Sequence, residues 1–304
     1  MRARILDSTG VRVPGLRFRG NDGDLPNGSY IIMLNEIPIV MGRLEKDARL
    51  YPGSPHELAA KGLPGVPGSN PVSGEEAAWI PSHHWQAAQD AGIELWGPAE
   101  CLVFHVEAVL KRYLPDFVGH QEMMNLLEGV GRSEAYRGSE GEDTDLTLFT
   151  GAARLLLNEG VPLTPFAAVE TNFQSVKTAR TAETVETMRL RAETRAKLPG
   201  NSSTFRHLLL PEAFETIIEE GVRRGGGIVL TLEPDTCQKL LAALREKLTG
   251  EHRVAVVVAR HDLRPFVRQL LEGEWPAVPV LAARELLDDL RPDPKDRIIF
   301  RGTP

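Results

Sequence analysis

The stretch Ala99-Glu-Cys-Leu-Val-Phe-His-Val-Glu-Ala-Val-Leu-Lys-Arg-Tyr-Leu114 decides how the rest of the chain is read. Leu102, Val103, Val106, Val109, Leu110, Tyr113 and Leu114 recur at helical spacing, which predicts an amphipathic helix with one apolar stripe. Pro115 ends it. Upstream the pattern is strand-like. Val11 to Arg19 alternates apolar and basic residues around Pro14-Gly15 and predicts a kinked edge strand. Asn21-Asp22-Gly23-Asp24 and Pro26-Asn27-Gly28 are turn chemistry, and Tyr30 to Met41, broken at Asn35-Glu36, predicts a hairpin. Proline and glycine interleave from Tyr51 to Gly74, so little regular structure is expected there. Ala77–Ile80 and Ile93–Trp96 read as short strands. The helix between them, Pro81–Ala91, opens at Ser82 and closes at Gly92.

Downstream, Gln121–Leu127, Leu146–Leu157, Pro165–Phe173 and Ala182–Leu198 are expected helices, with an acidic loop at Gly138–Asp145. The last of these helices carries Glu183, Glu186, Arg189, Arg191, Glu193 and Arg195 and reads as a solvated charged face. After Pro199-Gly200 the pattern changes to helices at Pro211–Gly221, Pro234–Leu248, Leu263–Leu271 and Ala283–Leu290. Among them lie a doubly buried strand at Arg253–Ala259 and another at Val278–Leu281. The fold class expected is α+β, with an all-helical middle third and a closing α/β unit.

Of the 304 residues, Asp and Glu make 42 and Lys and Arg 35, a net charge of −7. Nucleic-acid binding needs a basic face to displace counterions, so that class is disfavoured, as is a polybasic membrane anchor. No apolar run approaches the length of a membrane span, and Met1–Asp7 has no signal-peptide character. Cys101 and Cys237 form neither a disulfide framework nor a CxxC pair, which suits a reducing cytoplasm.

Local motifs offer little chemistry. His83-His84, with His56, Cys101 or His105, invites a metal reading. Neighbouring helical residues point about 100° apart, however, and no HExxH pair is present, so no metal is expected. Gly129-Val130-Gly131 lacks the third glycine of a dinucleotide loop and follows a helix. Gly225-Gly226-Gly227 lacks the Lys-Ser/Thr of a phosphate loop and reads as a helix break. Asp143-Thr144-Asp145 is too short for a calcium loop, and there is no GxSxG elbow. Neither catalytic residues nor a cofactor is expected, and a binding role remains.

Several segments, in order, resemble the cytosolic domain of the FHIPEP (FlhA/SctV) flagellar and type III secretion export-gate family. They are Leu16 to Asn21 with Leu25 to Ile32; Leu63-Pro64-Gly65; Asn70-Pro71-Val72-Ser73-Gly74 with Ala78-Trp79-Ile80; and Val103-Phe104-His105-Val106. They continue with Gly119-His120-Gln121-Glu122, Leu155 to Pro162, and Gly225-Gly226-Gly227 with Leu232-Glu233-Pro234. The last are His261 to Phe266 and Val278 to Leu281. The resemblance spans nearly the whole chain and implies four small subdomains. These are a first α+β subdomain (1–53 and 98–118), an inserted α+β subdomain (54–97), a helical one (119–200) and a C-terminal α/β one (201–304).

It further implies a non-enzymatic docking platform. Family members form a nine-membered ring under the membrane gate and bind export chaperones with their cargo in a cleft between the first two subdomains. The partner-binding positions that correspond are Asn70, Ser73, Gly74, Phe104 and His105. The expected partners are export chaperones, cargo and other export-apparatus components, with no nucleic acid and no membrane insertion by this chain. The expected location is the cytoplasm, at the inner face of the membrane.

Departures are equally specific. The family's Asp and Phe in its DPxFG loop correspond to Asn70 and Ser73, and the Thr before the matched His corresponds to Phe104. The family's membrane half has no counterpart here, so either an excised portion or a free-standing soluble scaffold or regulator is expected. Phe104 lies about 200° around the helix from Leu102, off the apolar stripe. It is either covered by the neighbouring subdomain or an aromatic anchor moved across the cleft from the Ser73 side. Trp79 is expected to pack under the inserted subdomain, and His105 to bond backbone near the cleft floor.

Overall fold

The computed structural model describes residues 1–20, 25–137, 142–248, 253–290, 292–293 and 295–298. It is a mixed helix and sheet fold in two compact units, Met1–Phe117 and Val118–Pro304. The turn expected at Asn21–Asp24 lies outside the described residues, as does the first half of the expected loop at Gly138–Asp145, whose second half is helical.

The first unit opens with helix α1 (Arg2–Thr9), stopped by Gly10 in the left-handed region. The following segment is not the edge strand expected at Val11–Arg19. Val11 and Val13 are buried, but the backbone makes no ladder, and Leu16 and Phe18 are exposed. The acceptor at Val13 is taken by the Arg2 guanidinium at 3.1 and 3.3 Å, and Pro14 has no N–H to donate. The hairpin is as expected: β1 (Ser29–Leu34) pairs antiparallel with β2 (Ile37–Arg43). Its turn residues Asn35 and Glu36 have φ of 51° and 65°, as a two-residue hairpin turn requires.

The Pro/Gly-rich stretch holds more structure than its composition suggests. β3 (Ala48–Tyr51) precedes α2 (Pro55–Ala60), capped by the Ser54 hydroxyl, which accepts from the His56 N–H. β4 (Val66–Ser69) and β5 (Glu76–Pro81) then complete a three-stranded antiparallel sheet in the order β3-β5-β4. Prolines at a helix start or on an edge strand cost no ladder bond, which is why both elements tolerate them. A short turn, Ser82–His84, leads into α3 (Trp85–Asp90), and Gly92 at φ 67° closes it. The strand expected at Ile93–Trp96 is reduced to one bridge, Leu50 to Trp96.

The sheet is covered on both faces. Ala78 and Ile80 pack with Leu58, Leu63, Ala88 and Ile93, whereas Ala77 and Trp79 pack with Leu50 and Cys101. Cys101 belongs to α4 (Pro98–Arg112). The Trp79 indole lies over Gly68, where an added Cβ would come within 2.8 Å of it.

In the second unit, α5 (His120–Gly129), α6 (Glu142–Asn158) and α7 (Phe166–Val176) are helices as expected. Phe149 stacks on Phe173 at 4.4 Å between ring centres. The single charged helix expected at Ala182–Leu198 is instead two, α8 (Thr181–Arg189) and α9 (Ala192–Arg195), parted where Arg191 turns extended. Its charges are not simply solvated either, because Arg189 is 1% exposed.

A parallel sheet follows, β6-β7-β8, formed by β6 (Arg206–Leu209), β7 (Val254–Val258) and β8 (Val280–Ala282). Every residue of β7 is buried, as its unbroken apolar run requires. Helices α10 (Glu212–Arg224), α11 (Pro234–Leu248) and α12 (Arg264–Glu272) pack on it through Phe214, Ile218, Leu240, Leu244, Val267 and Leu271. β6 was not foreseen. The helix expected at Ala283–Leu290 is one short turn, Ala283–Glu285, because Leu286 is extended.

A buried ion network ties α6 and α8 to α12 and the turn after β8. Arg264 is bidentate on Glu159 at 2.7 and 3.0 Å, and it engages both oxygens of Glu186. Arg189 reaches Glu159 at 2.9 Å and Glu285 at 2.6 and 3.1 Å. Both arginines also donate to the Val280 carbonyl. Burial alone pushes the Glu159 carboxyl up, but Arg264 and then Arg189 outweigh it and hold the group below the usual range. Arg264→Met leaves Glu186 without its bidentate partner and Glu159 with Arg189 alone. The expected cost is about 3–5 kcal/mol, read as a lower urea midpoint with an unchanged slope.

Candidate docking surface on the first unit

The expected site residues all lie on the first unit. Asn70 begins the loop that joins β4 to β5. Its own N–H donates to the Glu75 carbonyl at 2.8 Å, and its carbonyl accepts from the Gly74 N–H at 2.8 Å. The side chain is buried, and both of its polar atoms are engaged. Its Nδ2 donates to the Pro52 carbonyl at 3.2 Å, and its Oδ1 accepts from the Val72 N–H at 2.9 Å. The residue type explains the shape, since a short amide side chain can bond backbone two residues on. Asn70 therefore moulds the loop and leaves Val72, Ser73 and Gly74 exposed. Gly74 has φ 77° and open space around it, and the Ser73 hydroxyl accepts from the Glu75 N–H at 3.3 Å.

On α4 the buried face differs from the expected stripe. Cys101, His105, Val106 and Leu110 are buried, while Val103 is 42% exposed. The helix is rolled so that Cys101 meets Leu50 and Trp79. Its start is fixed by Glu100, which accepts from the Gly97 N–H at 2.7 Å. That roll leaves Phe104 half-buried, edge-on to Trp96 with ring centres 4.8 Å apart. Trp96 is itself paired through both backbone groups to Leu50, at 2.8 and 2.9 Å. Leu50 lies next to the end of β3 that continues into Pro52, the anchor of Asn70. The loop and the aromatic pair are thus held by one strand.

His105 bonds not to backbone but to the Tyr30 hydroxyl, at 2.7 Å from its Nδ1. Tyr30 reaches it from β1 because the residue opposite is Gly42, where a Cβ would collide with the phenol ring. Burial pushes the His105 imidazole below its ordinary range. Burial and, secondarily, Cys101 push the Tyr30 phenol up to about 12. The neutral forms are therefore held at neutral pH. Burial, then Glu100, also raises the Cys101 thiol to about 11, so it is packing and not a nucleophile.

Among the described residues, His56, His83 and His84 form no metal-ligand group with Cys101 or His105. His56 and His83 are exposed, and His83 stacks against His84 at 4.2 Å. Among the described residues the group with metal-ligand geometry is a different one, Glu186, His261 and Glu285. Arg264 engages both oxygens of Glu186. Arg189 and the Ala282 N–H occupy those of Glu285, so both carboxylates are engaged by protein groups. Sequence reasoning missed Trp96, Tyr30, Val72 and Val103. Tyr30, Val72 and Val103 lie inside the quoted motif segments, and Trp96 stands as a large aromatic just ahead of a Gly-Pro helix start.

The model of the FHIPEP family matches residues 1–291. The chain is 28% identical over 308 residues to the low calcium response locus protein D of Yersinia pestis, covering 98% of this chain and 43% of that protein. It is 27% identical over 304 residues to the flagellar biosynthesis protein FlhA of Salmonella typhimurium, covering 95% and 42%. The chain thus spans less than half the length of these relatives. Among solved structures, the Chlamydia pneumoniae CdsV protein in complex with CdsO is similar at a TM-score of 0.83 and 23% identity, covering 98% of this chain and 88% of that one. The nonameric EscV cytosolic domain from the type III secretion system is similar at 0.74 and 19%, covering 99% and 91%. At these identities the structural likeness is one of fold. No helix among the described residues is long and apolar enough to cross a membrane.

Tyr30→Phe leaves the His105 Nδ1 buried without its partner. The expected loss is about 1–3 kcal/mol in urea denaturation. The pH dependence has a definite sign. A folded imidazole pushed below its unfolded value binds fewer protons than the unfolded chain, so its contribution is full above the ordinary histidine range and fades as pH falls below it. The measurement is the urea midpoint from pH 7.5 to 5. His105→Gln is expected to flatten part of the decline.

Proposed function

Because the chain belongs to the FHIPEP family, we propose that it is the cytosolic docking module of a flagellar or type III export gate. It receives export chaperones with their cargo and works by binding, without bond chemistry and without a cofactor. The surface that does this joins the 70–74 loop to the exposed side of α4, in the cleft between a first subdomain (1–53 and 98–118) and an inserted one (54–97). A helical part (119–200) and an α/β part (201–304) complete the four-part plan. The module works in the cytoplasm at the inner face of the membrane, and copies assemble into a ring as the nonameric EscV domain does. Other export-apparatus components are further partners, as CdsO is for CdsV.

The observation that carries this reading is the Phe104–Trp96 pair, together with the family match. A half-buried aromatic held edge-on by a second, with exposed Val103 beside it, is a rigid anchor that loses little entropy on binding. The tip of the 70–74 loop adds exposed Val72 and Ser73. Asn70 contributes by shaping the loop, because its side chain is committed to Pro52 and Val72. His105 contributes by packing, through Tyr30. Loss of the family's aspartate at position 70 removes a charge and shifts partner preference away from basic contacts.

Phe104→Ala, titrated with a chaperone–cargo complex from the same organism, is expected to weaken binding about 30-fold, the loss of about 2 kcal/mol typical of an aromatic hot spot. The unfolding free energy from urea denaturation is expected to stay within about 1.5 kcal/mol of the parent, since the ring is only half-buried. Unchanged affinity with an intact fold removes Phe104 from the site. Solution mass at rising concentration is expected to exceed one chain, and a strict monomer throughout counts against the ring.

A further inference from the structure

The ion network in the second unit contains one group that takes no part in it. His261 occupies the short turn His261–Leu263 that leads into α12. Its side chain is 10% exposed, and its Nε2 has no hydrogen-bond partner, although it sits 3.5 Å from the Glu186 Oε2. That same oxygen already accepts from the Arg264 Nε at 2.8 Å. A buried ring nitrogen left unsatisfied beside a carboxylate is costly, and native structures rarely keep one without a use.

We propose that His261 is an acid-sensitive latch on the Glu186–Arg264 pair, whose proton uptake loosens α8 from α12.

The charged groups around the ring come from each packed element. Glu186 faces it from α8 and Arg264 from α12. Arg284 and Glu285 approach from the turn after β8, and Asp262 is its chain neighbour, already paired with Arg260. Behind them, Glu159, just past the end of α6, and Arg189 of α8 complete the network. A proton on Nε2 creates a cation with two competing demands. It claims the Glu186 oxygen that Arg264 uses, and it requires solvation that a nine-tenths buried site does not supply.

Burial is the largest influence on this imidazole and pushes it below its ordinary range. Glu186 opposes that push, and Arg284 reinforces it. The folded state therefore binds fewer protons than the opened one, so acid favours the state in which α8 has moved off and water reaches the ring. Above the ordinary histidine range the seam is fully closed. It weakens as pH falls through and below that range. Glu159, held below the usual range by Arg264 and Arg189, stays charged over the same interval, so this change is separate from general acid unfolding, which needs protonated carboxylates.

Amide hydrogen exchange of the intact chain at pH 7.5 and 5.5, corrected for intrinsic rate, tests this. Opening of Thr181–Arg189 and of Arg264–Glu272 is expected to rise by up to about tenfold at one unit below the ordinary histidine value. Pro234–Leu248, which carries no member of the ion network, serves as the reference. His261→Gln is expected to abolish the difference. A proton titration of the His261 ring by NMR on the unsubstituted chain provides the second readout, should the variant fold poorly. Equal opening at both pH values, a ring that titrates at or above the ordinary value, or a full pH response retained in His261→Gln each overturns the latch.

Discussion

The seating of α4 on one face of the β3-β5-β4 sheet is the contact on which the candidate docking surface depends. Cys101 is fully buried against Leu50 and Trp79, with Trp96 and Leu44 at the margin. This small thiol lets the helix approach closely, and Gly68 gives the Trp79 indole its space in the same layer. The helix roll that results decides which residues face outward. It buries His105 and Val106, leaves Val103 exposed and sets Phe104 against Trp96. The loop at 70–74 depends on the same strand, through Pro52 and Asn70. Apolar packing therefore fixes the register, and short polar links carry it to the surface.

The second unit is held differently. Its α/β core is an ordinary apolar cluster, but its helical elements meet that core across paired arginines and glutamates. Buried pairs of this kind add little net stability compared with apolar packing, yet breaking one partner is expensive. They make a seam that is specific in geometry and sensitive to protonation.

Much of the fold was legible because it rests on periodicity and turn chemistry. The hairpin at Ser29–Arg43 follows from two apolar runs around Asn35-Glu36, and β7 follows from Val254–Val258. What escaped were features set by tertiary contacts. β4 hides in Val66-Pro67-Gly68-Ser69, a poor strand by propensity that survives because β5 supplies its bonds. The break between α8 and α9 has no proline or glycine to announce it. It comes where Arg189 must turn inward to Glu285. The stripe assigned to α4 was off by one residue because Cys101 and His105 were not counted as core. At the candidate site, motif order pointed to Asn70, Ser73 and Phe104. Trp96, Tyr30 and the inward use of the Asn70 side chain became visible only with the neighbours in place.

The central claim is that this chain acts by receiving other proteins on the loop and helix of its first unit. Hydrogen–deuterium exchange of the chain, alone and saturated with a chaperone–cargo complex, tests it most directly. The account predicts slowed exchange concentrated in 70–75 and 96–106, with the hairpin at Ser29–Arg43 unaffected. Saturated binding with no slowing in either segment, and protection confined to the second unit, would contradict it.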